Sequence, residues 1–310
     1  MSDIIINIKD LTHLYGKKIA ALDNLNLSIP KGEIFGIIGP DGAGKTTLLR
    51  IISTVMTPTR GDVKVFGADT AKEGEKLKQR IGYLSQRFSL YGDLTVRENL
   101  DFYSELFNVP VDEKEERIVR QLRFTNLEPF SGRLAEYLSG GMKQKLALAA
   151  TIIHTPDLVI LDEPTTGVDA LTRREFWKIL YDINLRGITI VIATPYMDEA
   201  DRCHRVGFLY NGKLKACDTP ANLIDSMKMQ MIELVCRPIR KAFEILKERL
   251  GERVILFGDT VHILAENAES LMVQVKEELK DIEVISIHII KPTLEDLFVS
   301  LMEKEKASAR

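Results

Sequence analysis

The run Gly39-Pro40-Asp41-Gly42-Ala43-Gly44-Lys45-Thr46 has the spacing G-x-x-x-x-G-K-[ST], which suits the binding of a polyphosphate. It comes after the apolar stretch Ile34–Ile38 and precedes a helical pattern built on Leu48, Leu49, Ile51, Ile52 and Val55, the strand–loop–helix context that the spacing needs. Glycines let the backbone curl around an anion, so that several N–H groups at a helix N-terminus point at it. Lys45 is expected to reach the β- and γ-phosphates, and Thr46 to place its hydroxyl on Mg²⁺. Thr47 completes the expected nucleotide contacts. A Gly-rich turn with a surface lysine is the plain alternative, but four fixed positions coincide by chance in only about one chain in a hundred of this length.

A second cluster stands at Leu158-Val159-Ile160-Leu161-Asp162-Glu163, a buried-strand pattern that ends in two carboxylates. Asp162, at the carboxyl end of a strand beside the phosphate loop, is expected to hold Mg²⁺ through water. Glu163 is then placed to polarise an attacking water. Alone, Asp-Glu-Pro is more often the opening of a turn. Paired with the loop, it reads as catalytic.

Between the two clusters lies Leu138-Ser139-Gly140-Gly141-Met142-Lys143-Gln144. With these motifs, residues 3 to about 225 resemble the nucleotide-binding subunit of an ABC transporter. Leu-Ser-Gly-Gly resembles the family's signature motif. Its physical logic is a second anion site, in which Ser139 caps a helix whose N–H groups, with Gly140 and Gly141, face a γ-phosphate. The resemblance implies that this phosphate belongs to ATP on the opposite subunit. It also implies that Tyr15 stacks on adenine, that Gln86 touches Mg²⁺ and senses a membrane partner, and that Asp169 lies at the dimer interface. The run Arg87–Leu94 would sit near the docking groove for that partner's coupling helix. Glu163, Gln86 and Lys45 are thus the expected catalytic residues, and Thr46, Gln86 and Asp162 the expected metal ligands.

Tyr196-Met197-Asp198-Glu199-Ala200, the run from Gln86 to Leu100, and Pro292-Thr293-Leu294-Glu295-Asp296-Leu297-Phe298 resemble the ABC-2-type exporters. The resemblance implies an ATPase that uses ATP and Mg²⁺ and is peripheral at the cytoplasmic face of the cell membrane. Its partners would be a separate transmembrane permease and a second ABC ATPase subunit, as homodimer or heterodimer, with no nucleic acid. Two other readings are a nucleotide-binding regulatory subunit with little catalysis and a soluble ABC ATPase acting on ribosome or DNA. The single uninterrupted cassette disfavours the last.

One residue departs from the family. Most members carry a switch histidine after the strand corresponding to Thr189–Ala193, and this chain reads Thr194-Pro195. Proline has neither an imidazole nor a backbone N–H to offer a γ-phosphate. The expectation is a site that binds MgATP and hydrolyses it slowly, while Ser139 and Gly140 can still complete a partner's site.

These residues need a scaffold. Ile34–Ile38, Ile81–Leu84, Leu158–Leu161 and Thr189–Ala193 are continuous apolar runs, which suit strands of a parallel sheet buried on both faces. Asp3–Lys9, Ala21–Ile29 and Asp62–Val65 read as antiparallel strands. Glu98–Phe107, Glu113–Arg123 and Met142–Ile153 have helical spacing, so a helical subdomain is expected over about 92–153. After residue 225 the rhythm changes. Met231–Cys236, Arg253–Leu256, Thr260–Ala265 and Ile282–Ile289 read as strands, and Ile239–Leu250 and Ser270–Leu279 as helices. That βαββαβ order is expected to form a small ferredoxin-like α+β domain over 226–310. A last helix, Leu294–Met302, would lead into a frayed charged tail from Glu303. With the resemblance, the expected fold class is α/β: a P-loop ABC ATPase core over 1–225, with an antiparallel β subdomain and a helical subdomain, plus the C-terminal module.

Composition fits. The chain has 310 residues, with 45% hydrophobic and 28% charged, and 42 basic against 45 acidic residues give a net charge of −3. That balance exerts no global pull on nucleic acid. No apolar run reaches the roughly 18–20 residues needed to cross a bilayer. Cys203, Cys217 and Cys236 lack metal-ligand spacing and suggest a reducing compartment.

Overall fold

The computed structural model describes residues 3–16, 19–87, 90–226 and 229–308. Two compact units divide the chain, Met1–Cys217 and Asp218–Arg310.

In the first unit, β1 (Ile4–Tyr15), β2 (Ile19–Pro30), β4 (Arg60–Val65) and β5 (Ala68–Asp69) form an antiparallel sheet ordered β2-β1-β4-β5. The first two strands run longer than their alternation suggests, because register shifts, as between Ile8 and Leu11, break the period of two. A second sheet is built from β3 (Ile34–Ile38), β6 (Ile81–Leu84), β7 (Leu158–Asp162), β8 (Thr189–Thr194), β9 (Arg205–Tyr210) and β10 (Lys213–Asp218), in the order β10-β9-β3-β8-β7-β6. From β9 to β6 its neighbours are parallel. Every residue of β3, β7 and β8 is buried, which is why these segments are continuously apolar. Helices α1 (Lys45–Ile52), α2 (Gly74–Lys78), α6 (Ala170–Leu185) and α7 (Met197–Ala200) connect or flank these strands. The main core joins both sheets to Leu48, Leu49, Ile51 and Ile52 of α1.

Helices α3 (Val96–Leu106), α4 (Val111–Phe124) and α5 (Gly140–Thr151) share a separate core around Leu100, Ile118, Leu122 and Leu146. Thr95 opens α3 with a capping box, accepting from the Glu98 N–H while Glu98 accepts from the Thr95 N–H. His154 stacks on Phe107 here, with ring centroids 4.1 Å apart. Burial pushes this imidazole down to about 4, and the Arg117 charge acts in the same direction. The unfolded chain takes up this proton near its ordinary value of about 6.5, so the stability is complete above that pH and is lost as pH falls towards 4. His154→Gln is therefore expected to flatten the fall in melting temperature between pH 7 and 5. Equal pH slopes for the two proteins would remove His154 from that account.

The second unit opens with α8 (Pro220–Ser226), so the division falls before residue 225. Beyond it come β11 (Gln230–Arg237), α9 (Ile239–Leu250), β12 (Val254–Phe257), β13 (Thr260–Ala265), α10 (Ala268–Glu278), β14 (Glu283–Ile290) and α11 (Leu294–Ser308). The four strands are antiparallel, in the order β12-β13-β11-β14. Their core packs Ile232, Leu234, Val261 and Ile263 against Ala242 and Leu246 of α9 and Leu271 and Val275 of α10. The expected fraying from Glu303 is not what is found, since α11 continues to Ser308. Glu, Lys and Ala are good helix formers, and the run 303–307 contains nothing to stop the helix.

Candidate active site

Sheet order determines which loops meet. β8 lies between β3 and β7, with Ile38 opposite Thr194 and Asp162 opposite Ala193. The residues after these three strands, Gly39, Pro195 and Glu163, therefore emerge side by side at the carboxyl edge of a parallel sheet, where such sheets bind ligands.

Two glycines of the loop are sterically required. A Cβ on Gly39 would stand 2.2 Å from the Leu209 carbonyl oxygen. One on Gly44 would stand 2.4 Å from the Ala21 carbonyl oxygen, and Gly44 also has φ +107°. Lys45 begins α1 and folds back over the loop, donating from Nζ to the carbonyls of Gly39 at 2.9 Å and Pro40 at 3.2 Å. Its Nζ also lies 3.4 Å from Glu163 Oε1. On the other side of that carboxylate, Gln86 Nε2 donates to Oε2 at 3.1 Å, and Thr166 Oγ1 donates to it at 3.4 Å. Glu163 has φ +51°, a strained conformation for a non-glycine residue, and its N–H donates to the Ala193 carbonyl at 2.9 Å.

Asp162 is fully buried. Thr46 Oγ1 donates to its Oδ1 at 3.1 Å, and its Oδ2 has no hydrogen-bond partner. Burial raises this carboxyl above the usual carboxylate range against the Thr46 hydrogen bond, and the neighbouring Glu163 charge adds to the rise. A buried carboxylate oxygen without a partner, beside a threonine hydroxyl, is a donor set that fits a hard divalent cation.

These groups open into a cleft of about 510 Å³. Asp41, Gly42, Ala43, Gly44, Lys45, Thr46, Thr47, Gln86, Glu163 and Tyr15 line it. Tyr15 is 42% exposed, with its hydroxyl 3.2 Å from that of Thr47. Ile19, Ala20 and Ala21 complete the wall, and sequence reading missed them. The hairpin explains them, since Ile19 pairs with Tyr15.

Ser139, Gly140, Gly141 and Asp169 stand outside that lining. Ser139 caps α5, accepting from the Met142 N–H at 3.3 Å. Asp169 caps α6, accepting from the Thr172 N–H at 3.0 Å, and the Thr172 hydrogen bonds hold its carboxyl below the usual range. A Cβ on Gly141 would come within 2.2 Å of Thr172 Cγ2, so the starts of α5 and α6 pack together there. Of the docking run Arg87–Leu94, Phe88 and Ser89 lie outside the described residues.

Sequence reading also missed a buried anchor. Glu199 is fully buried and accepts from Thr165 Oγ1 and Thr194 Oγ1, both at 2.6 Å. Arg173 Nε approaches it at 3.8 Å, with the guanidinium 4.0 Å above the Tyr196 ring. This carboxylate ties the segment after Glu163 to the one containing Pro195.

A family model described as ABC transporter matches residues 22–166. The probable multidrug ABC transporter ATP-binding protein YbhF of Escherichia coli (strain K12) is 42% identical over 221 residues, which cover 71% of this chain and 38% of that protein. The chain thus matches well under half the length of YbhF. The linearmycin resistance ATP-binding protein LnrL of Bacillus subtilis (strain 168) is 31% identical over 307 residues, covering 96% of this chain and 97% of LnrL. A solved dimeric structure of the ATP-binding cassette MJ0796, in a post-hydrolysis state bound to ADP and Pi, superposes with a TM-score of 0.64 at 30% identity, covering 69% of this chain and 98% of that one. No helix among the described residues is long and apolar enough to cross a membrane. By these matches over both the cassette and nearly the full length of LnrL, the chain belongs to the family of ABC transporter ATP-binding proteins.

Proposed function

We propose that this chain binds MgATP in the cleft around Lys45 and hydrolyses it at a dimer interface to drive export through a separate membrane permease. It acts at the cytoplasmic face of that membrane. One observation carries it: Lys45, Gln86 and Thr166 converge on the Glu163 carboxylate, beside Thr46 and the unpartnered oxygen of Asp162. Lys45, released from the Gly39 and Pro40 carbonyls, takes the β- and γ-phosphates. The loop N–H groups hold the remaining phosphate oxygens, and Tyr15 faces the adenine. Thr46, Asp162 and Gln86 would hold Mg²⁺, which would offset charge on the phosphate oxygens. Glu163 orients and polarises the attacking water, with Gln86 fixing its carboxylate.

Ser139, Gly140 and Gly141 lie outside the cleft, which supports their assignment to the nucleotide of a second subunit, with Asp169 at the interface. Pro195 supports a weakened site on this chain, because the carboxyl edge between Gly39 and Glu163 has neither imidazole nor N–H at that position. A regulatory subunit with little catalysis is the second reading that Pro195 favours. Export is the role named for relatives such as the Nod factor export ATP-binding protein I of Rhizobium etli, 33% identical over 304 residues. The α3–α5 segment is assigned as the helical subdomain, and the C-terminal unit as a ferredoxin-like accessory domain, which its βαββαβ order and strand arrangement support.

The test is MgATP hydrolysis by the full chain and by Glu163→Gln. Turnover is expected to fall at least about tenfold with nucleotide affinity preserved, since the substitution removes the base and keeps the shape. Equal turnover for the two proteins would take Glu163 out of the chemistry.

A further inference from the structure

β14 is an edge strand. Its inner side pairs with β11, and among the described residues no strand pairs with its outer side. Such an edge offers a row of backbone N–H and C=O groups, and proteins usually blunt it with charge, proline or short length. The opposite edge, β12, is short at four residues. β14 has eight, of which Glu283 alone is an acid or a strong base. Ile285 is 51% exposed and Ile289 43%.

The sequence of this edge is complementary to itself. Residues 283–291 read Glu-Val-Ile-Ser-Ile-His-Ile-Ile-Lys. From either end come a charge, an aliphatic residue, an isoleucine and a polar residue, with Ile287 in the middle. The two terminal charges are opposite in sign. In an antiparallel pair with a two-fold axis through Ile287, Glu283 of each copy faces Lys291 of the other. Ile285 faces Ile289, Ser286 faces His288, and Ile287 faces its equivalent. Directly opposed residues are the unit of sheet stabilisation, and a two-fold axis forms each such pair twice except the Ile287 pair that lies on it.

We propose that the outer edge of β14 binds a second copy of this chain, strand to strand and antiparallel about Ile287. The two four-stranded sheets then become one continuous sheet. The β11–β14 ladder is regular from Ser286 to Ile290 and shifts register at Ile285, so the two-fold pairing centres on the regular part of the strand. Pro292, immediately after Lys291, has no N–H to extend a ladder. Both β14 edges are consumed and the short β12 edges are left outside, so the assembly closes as a dimer. This contact does not depend on the nucleotide cleft, and it stands whether or not the chain hydrolyses ATP.

Sedimentation of the full chain in buffer with EDTA and no nucleotide tests it. A dimer is expected, and Ile285→Lys, at an exposed position, is expected to dissociate it. Glu283→Lys is expected to weaken it about tenfold, because two attractive pairs become two repulsive ones. Combining Glu283→Lys with Lys291→Glu is expected to return the dissociation constant to within about threefold of the original, since the pairs are re-formed with signs exchanged. A monomer at all concentrations overturns the proposal. So does a dimer indifferent to Ile285→Lys, a charge reversal that the double variant does not rescue, or growth into higher oligomers, which would mean that β14 pairs with a different edge.

Discussion

Replacing Pro195 with histidine is expected to raise the ATP turnover of the full chain by about 10²–10³-fold, the usual worth of one positioned charge-stabilising group. The reason is positional. Thr194 ends β8 opposite Ile38 of β3, and Ala193 lies opposite Asp162 of β7. The next residue therefore stands between the start of the phosphate loop and the Glu163 carboxylate. Its surroundings are already braced, because Thr194 Oγ1 donates to Glu199 and accepts from the Tyr196 N–H at 3.1 Å. An imidazole introduced there joins a fixed backbone, so the gain should fall on kcat, with KM changed little. Unchanged turnover in Pro195→His would show that the missing imidazole is not what limits this site. Fast turnover by the unmodified chain as a homodimer would remove the case for a weakened site altogether.

Lys45→Ala is expected to weaken MgATP binding about 10²-fold, which is the scale of losing a charge-assisted contact from a buried site. Lys45 is 4% exposed, and its ammonium is engaged by Gly39, Pro40 and Glu163. Its removal costs the phosphates a cation and leaves Glu163 uncompensated, so repulsion of the anionic ligand adds to the lost attraction. Equilibrium titration of both proteins checks this, with circular dichroism to show that the variant is folded. Equal affinities would mean that the nucleotide is held elsewhere.

The parts of the site that are legible in the sequence are those whose chemistry is local. Gly39 to Thr46 encode a backbone shape within one loop, and the steric demands at Gly39 and Gly44 show why those positions are glycine. Asp162 and Glu163 come after a continuous apolar run, so their place at a strand end is visible without partners. Pro195 is a different case. Its departure from the family is visible in the sequence, but its place beside Gly39 and Glu163 depends on the order β3-β8-β7, a long-range pairing. Glu199 is less legible still, because its partners Thr165 and Thr194 come from two separate loops and nothing local marks a glutamate as buried. In the fold, the fully buried strands are legible from their unbroken apolar character. β1 and β2 extend beyond their expected spans because bulges interrupt their alternation. α11 extends beyond its expected end because a charged run of good helix formers looks the same in sequence whether it frays or stays helical.

The role proposed for the cleft around Lys45 and Asp162 is to bind MgATP. Its most direct test is equilibrium titration of the unmodified full chain with ATP, in Mg²⁺ and again in EDTA. Saturable binding of one nucleotide per chain, weakened when Mg²⁺ is withdrawn, is the predicted result. No saturable binding at millimolar ATP, or binding indifferent to Mg²⁺, would contradict it.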